Sequence, residues 1–128
     1  MLRTASVYGN SSPSTPSNVL SVGNVSGTTN IDLLSANTYS FTVTGSTTLT
    51  FSNGPATDTT LEKWFYVTNG GLGLTGSGNY PSGSRFPGPG VVGSAPTLVS
   101  SGTEILRMKA VNIGGTTNYD WAYIGRVA

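Results

Sequence analysis

Beyond its first seventeen residues, this chain alternates apolar and polar positions along most of its length. The clearest case is residues 38–44, where Tyr39, Phe41 and Val43 fall on one side and Ser40, Thr42 and Thr44 on the other. A period of two marks a half-buried β-strand. Gly45-Ser46 reads as a turn, and Leu49 and Phe51 resume the alternation. The pattern predicts a hairpin with one buried face and one hydroxyl-covered face.

Similar runs recur. Residues 18–25 carry Val19, Leu20, Val22 and Val25, and residues 30–34 form a short apolar run. In residues 62–68 the aromatic and β-branched run Trp64-Phe65-Tyr66-Val67 predicts a strand buried on both faces, with Trp64, Phe41 and Phe51 in the core. Residues 104–113 set Leu106, Met108 and Ala110 against Arg107 and Lys109. A turn within residues 112–118 leads to a last strand, in which Tyr119, Trp121, Tyr123 and Val127 alternate with Asp120, Ala122, Ile124 and Arg126.

Between these runs lies punctuation. Asn53-Gly54-Pro55 and Asn69-Gly70-Gly71 are strong turn signals. Residues 69–96 are rich in Gly and Pro, and proline cannot donate to a ladder, so an exposed ordered loop or an edge excursion is expected there. Residues 1–17 read as an extended N-terminal arm, because residues 11–17 hold two prolines and no apolar side chain. Two readings of the arm are open: a loose end, or a strap whose Leu2, Val7 and Tyr8 dock on a neighbour.

Six to eight short strands and no capped helical periodicity predict an all-β fold. The expectation is a single β-sandwich or jelly-roll-like domain over residues 18–128 with the arm ahead of it. No tandem repeat of the solenoid or propeller kind is evident. The full 128 residues suit one domain and no more.

Composition sharpens this picture. Only 9% of residues are charged, against about 25% in ordinary soluble domains. Gly, Ser, Thr and Asn take their place, yet 36% of residues are apolar, enough to argue against disorder. Six scattered basic and five acidic residues give a net charge of +1, which argues against nucleic acid and against a membrane surface as partners. Residues 1–7 lack the apolar run of a signal peptide, so synthesis in a host cytoplasm without export by the general secretory route is expected.

The chain has no Cys and no His, which removes disulfides, thiol chemistry, Ser–His triads and His- or Cys-ligated metals. The carboxylates are Asp32, Asp58, Glu62, Glu104 and Asp120. A glycosidase pair, for instance Glu104 with Asp120 across the last two strands, is conceivable, but solvated carboxylates that blunt edges are the stronger reading. Gly71, Gly73 and Gly76 match Gly-x-Gly-x-x-Gly, with no helix to follow and no lysine for a phosphate, so the match is chance. No catalytic residue, cofactor or metal is expected. Tyr80, Phe86, Trp121 and Tyr123 are candidates for stacking on a sugar. Tyr80, Arg85 and Phe86 together form the best candidate for a docking tip toward another chain.

From about residue 30 onward the chain resembles a β-rich module of tailed-bacteriophage virion structural proteins. The resemblance rests on the order of several segments. These are residues 39–45 and 48–53, then Val67-Thr68-Asn69-Gly70-Gly71, Tyr80-Pro81 with Arg85-Phe86-Pro87-Gly88, residues 95–98 and 102–106, and Gly114-Gly115 before an aromatic strand. It implies a virion protein without enzymatic activity, usually a homotrimer. With no shaft and an extended arm, the chain fits a capsid decoration (cement) protein, whose partners would be its own copies and the major capsid protein or other virion proteins. The alternative is a tail-fibre or receptor-binding component contacting a host-surface glycan.

Overall fold

The computed structural model describes residues 18–87 and 94–127. It is all-β: strands β1 (Val19–Asp32), β2 (Thr38–Ser52), β3 (Thr60–Thr68), β4 (Ser84–Arg85), β5 (Thr103–Ile113) and β6 (Thr116–Val127), with single 3-10 turns at Gly70–Leu72 and Ser77–Asn79. All six strands belong to one sheet, in the order β1-β2-β3-β5-β6-β4.

The first three strands are parallel. Parallel neighbours need a return path, yet only residues 33–37 join β1 to β2. The geometry works because β1 bends. Val19 pairs with Thr38, and Asp32 lies six residues before Thr38, so those six steps reach at most about 23 Å. A straight strand from Val19 to Asp32 would span about 43 Å. The bends coincide with two register shifts, Ser21/Gly23 and Val25/Gly27, where Gly23 (φ 88°) and Gly27 (φ 67°) take left-handed backbone closed to most side chains. β1 and β2 are therefore stacked turns of a coil.

This corrects two sequence expectations. Residues 38–52 keep their alternation but form one bent strand rather than a hairpin: two extra residues of β2 are absorbed between Val43 and Thr47. A coil is present although no repeat is legible, because the partner offset wanders from 19 to 18 to 20 between β1 and β2 and is 26 between β2 and β3. β3, β5 and β6 then run antiparallel, and β5 and β6 are joined by the expected two-residue turn at Gly114 (φ 61°) and Gly115 (φ 95°).

The sheet curls around its core. β3 and β5 separate β2 from β6, which in a flat sheet would hold their side chains about 14 Å apart. Instead the Phe51 ring centroid lies 5.0 Å from Tyr119 and 5.9 Å from Trp121. Phe65 stacks on Tyr39 at 5.3 Å and Phe51 at 5.8 Å, so one aromatic cluster ties β2, β3 and β6 together. The parallel pairing of β1, β2 and β3 is not the antiparallel strand pairing of a jelly roll.

Residues 69–86 are more than an exposed loop. β4 is the edge excursion, paired with Tyr119 and Asp120. The rest seals the core: Leu74, Tyr80 and Phe86 are buried, the Thr47 amide donates to the Gly73 carbonyl at 3.2 Å, and Asn79 Nδ2 donates to the Thr47 carbonyl at 2.7 Å.

Candidate functional site

β3 presents Lys63, Phe65 and Val67 to the interior and Glu62, Trp64 and Tyr66 to the outer face. The expectation of a strand buried on both faces is thereby corrected, and so is the core assignment of Trp64. This phase buries Phe65 and Val67 completely, and it accommodates Lys63 because its ammonium reaches the corner between β1 and β2 and donates to the Ala36 carbonyl at 2.7 Å. Burial pulls its pKa below the ordinary lysine value, while nearby Asp32 partly opposes the shift.

On the outer face, Trp64 stands beside Thr38 of β2 and Arg107 of β5, and Tyr66 beside Ser40 and Ile105. Same-face neighbours two residues apart on a strand are separated by about 6.6 Å. The rings flank a shallow depression of about 660 Å³ lined by Asn37, Thr38, Glu62, Trp64 and Tyr66. A second depression of about 370 Å³, lined by Val19, Thr38, Ser40 and Tyr66, shares two of those residues and carries the groove toward β1. Glu62 meets Arg107 Nε at 3.4 Å, both side chains about half exposed (49% and 45%), so the groove holds a loose pair and no net charge.

These rings differ from most of the others. Tyr39, Phe41, Phe51, Phe65, Tyr80, Phe86, Tyr119 and Trp121 all pack against another aromatic ring. Among the described residues Trp64, Tyr66 and Tyr123 pack against none; Tyr66 is exposed and Trp64 partly so, while Tyr123 is held by Glu104. Alternation alone could have found them, since Trp64-Phe65-Tyr66 in any strand must put aromatics on both faces. Lys63 misled that reading by sitting on the interior side.

The docking tip expected from sequence is not exposed as such. Tyr80 and Phe86 are 3% and 6% exposed and pack edge-to-face at 5.1 Å, and Trp121 joins them beneath the sheet. The sugar-stacking expectation for these three rings is corrected by their burial. They are inward because the coil leaves an open end that residues 74–86 close. Arg85 is exposed but engaged, with Nε and Nη2 donating to the two carboxylate oxygens of Asp120 at 2.6 and 3.0 Å. Tyr123 is the one expected ring that remains partly exposed, and its hydroxyl donates to Glu104. Leu2, Val7 and Tyr8 lie outside the described residues.

Each carboxylate has its own structural partners. Asp32 accepts from Asn53 Nδ2 and the Leu34 amide, both at 2.9 Å. Asp58 accepts from the Gly114 amide and Asp120 from Arg85. Glu104 is buried and accepts from the Val99 amide at 2.7 Å and Tyr123 at 2.8 Å. Glu104 faces inward opposite Arg126, while Asp120 faces outward opposite Lys109, so the two do not form the pair that a glycosidase requires. Among the described residues no three acidic side chains gather as a metal site, and no helix is long and apolar enough to cross a membrane.

No protein-family model, curated protein or solved structure matches this chain.

Proposed function

We propose that the chain is a non-enzymatic structural protein of a tailed-bacteriophage virion: a capsid decoration (cement) protein, homotrimeric, that stabilises the shell through contacts with its own copies and with the major capsid protein. The observation that carries this reading is the outer edge of β1. It spans fourteen residues, and no described strand pairs with it. It contains no Lys, Arg or Pro, and its one charge is Asp32 at the end. Proteins that stay monomeric blunt such edges with charge, proline or a covering segment, because free N–H and C=O groups invite another strand. The bends of β1 interrupt the edge but leave residues 27–32 as a regular run.

Exposed apolar side chains gather at the same margin: Val19 (68% exposed) and Leu20 open the strand, and Leu34 (72%) sits on the corner that follows it. The engagement of Asp32, Asp58, Glu104 and Asp120 in structural bonds, with Glu62 left in a loose surface pair, supports the non-enzymatic part of the proposal. The virion location rests on the resemblance of the segment order to virion modules.

Imaging of intact particles tests the proposal. Hundreds of copies arrayed on the shell are expected. A few copies confined to the tail would move the protein to the tail-fibre role, and absence from the particle would overturn a virion role.

A further inference from the structure

We infer that the outer-face groove between Trp64 and Tyr66 is a saccharide-binding site, taking one or two rings of a neutral oligosaccharide. This goes beyond the structural role proposed above and does not depend on it.

Three observations carry the inference. Two aromatic rings stand on the outer side of β3 with no ring partner among the described residues, although burying an aromatic removes about 150–250 Å² from water and the same fold buries six others. Rings on one outer face at two-residue spacing offer apolar surface suited to the C–H faces of successive sugar rings. The polar groups around them are of the right kind: the Asn37 amide, the Thr38 and Ser40 hydroxyls and the Glu62 carboxylate offer donors and acceptors for sugar hydroxyls. The volume, about 660 Å³ for the larger depression, lies in the range of about 300–1,000 Å³ usual for small-ligand sites.

Charge narrows the ligand class. Glu62, the one charged residue lining the larger depression, is offset by Arg107, and the neighbouring Lys109 lies opposite Asp120 on the next strand, so the site carries no strong charge of either sign and neutral hydroxylated rings fit best.

Heteronuclear NMR of the intact chain tests the site, since its two tryptophans give two indole signals, Trp64 in the groove and Trp121 in the core. Maltohexaose, cellohexaose and mannohexaose would each be titrated to about 10 mM, where a ligand with a millimolar Kd saturates. At least one should shift the Trp64 indole signal and leave that of Trp121 in place. Trp64→Ala should abolish binding, and Tyr66→Ala should weaken it about tenfold. An unchanged Trp121 signal in both variants shows that the fold is kept. The inference is overturned if none of the three sugars shifts Trp64, or if binding survives Trp64→Ala. It is equally overturned if Trp64 broadens with protein concentration alone and Trp64→Ala abolishes dimerisation, which would give the face to a second copy.

Discussion

Gly73 sits so close to the carbonyl of Gly45 that a Cβ atom at position 73 would overlap it. This approach explains the glycine at position 73, whereas a Cβ at Gly45 would make only an ordinary contact with Ser26. Gly45 lies where β2 absorbs its extra residues and bends, and Gly73 lies in the segment that closes over the bend, its carbonyl receiving the Thr47 amide. Gly73 has a negative φ (−161°), outside the left-handed region, so the requirement shown here is for space. Gly73→Ala should therefore destabilise the fold by about 3 kcal/mol, at the upper end of overpacking costs. Gly76→Ala, which meets nothing within 4 Å, should be nearly neutral. Urea denaturation of the two variants checks the contrast.

Tyr80 and Tyr39 make a second contrast. The Tyr80 hydroxyl is buried with no hydrogen-bond partner among the described residues, and burial raises its pKa well above the ordinary tyrosine value. The Tyr39 hydroxyl lies 2.7 Å from the Asp32 carbonyl and 3.0 Å from that of Ala36, and it locks the corner between β1 and β2. Tyr80→Phe should leave stability unchanged or raise it by about 1 kcal/mol, while Tyr39→Phe should lower it by about 1–2 kcal/mol. Thermal unfolding of both variants reads the difference in sign.

The acid limb of stability should depend on Asp32. The Asn53 side chain and then the Leu34 amide hold its carboxyl below the usual value of 3.8. A depressed carboxyl contributes stability that is present above the unfolded pKa and lost as pH falls through the folded one. The wild-type urea midpoint should drop below about pH 4. Asp32→Asn should flatten that drop, and an equally steep acid limb in the variant would remove Asp32 from the explanation.

Arg85 and Asp120 should couple only weakly despite their two-pronged geometry. The side chains are 53% and 27% exposed, so water screens the pair. A double-mutant cycle with Arg85→Ala and Asp120→Ala should return a coupling near the limit of detection, and it should shrink further at high salt. The same Arg85→Ala variant asks whether Arg85 also serves a partner. Assembly weakened beyond the stability loss would support that role, and unchanged assembly would exclude it.

The sequence revealed strand content, the β5–β6 hairpin and the inward set Leu106, Met108 and Ala110, because these follow from local alternation and turn chemistry. It did not reveal that β2 bends without reversing. Gly45-Ser46 has the composition of a turn, and only the distant Gly73 segment, through its bond to Thr47, distinguishes a bend from a hairpin. The candidate groove was hidden for a related reason. The inward side of β3 holds the fully buried Phe65 and Val67 but also Lys63, whose bond to the Ala36 carbonyl joins residues 27 apart, so charge patterning along the strand argues against the side the fold turns inward. Tyr80 and Phe86 look like loop residues by their Pro and Gly neighbours and are core residues by their place over an open coil end.

Sedimentation velocity of the intact chain at micromolar concentration, alongside a Ser26→Lys/Thr28→Lys variant, tests the central claim most directly. Both positions are exposed on β1, and the two lysines place charge along its free edge. The account requires a wild-type oligomer, trimeric by the proposal, and a folded monomer for the variant. A wild-type chain that sediments as a monomer, or an oligomer indifferent to the two lysines, would contradict it.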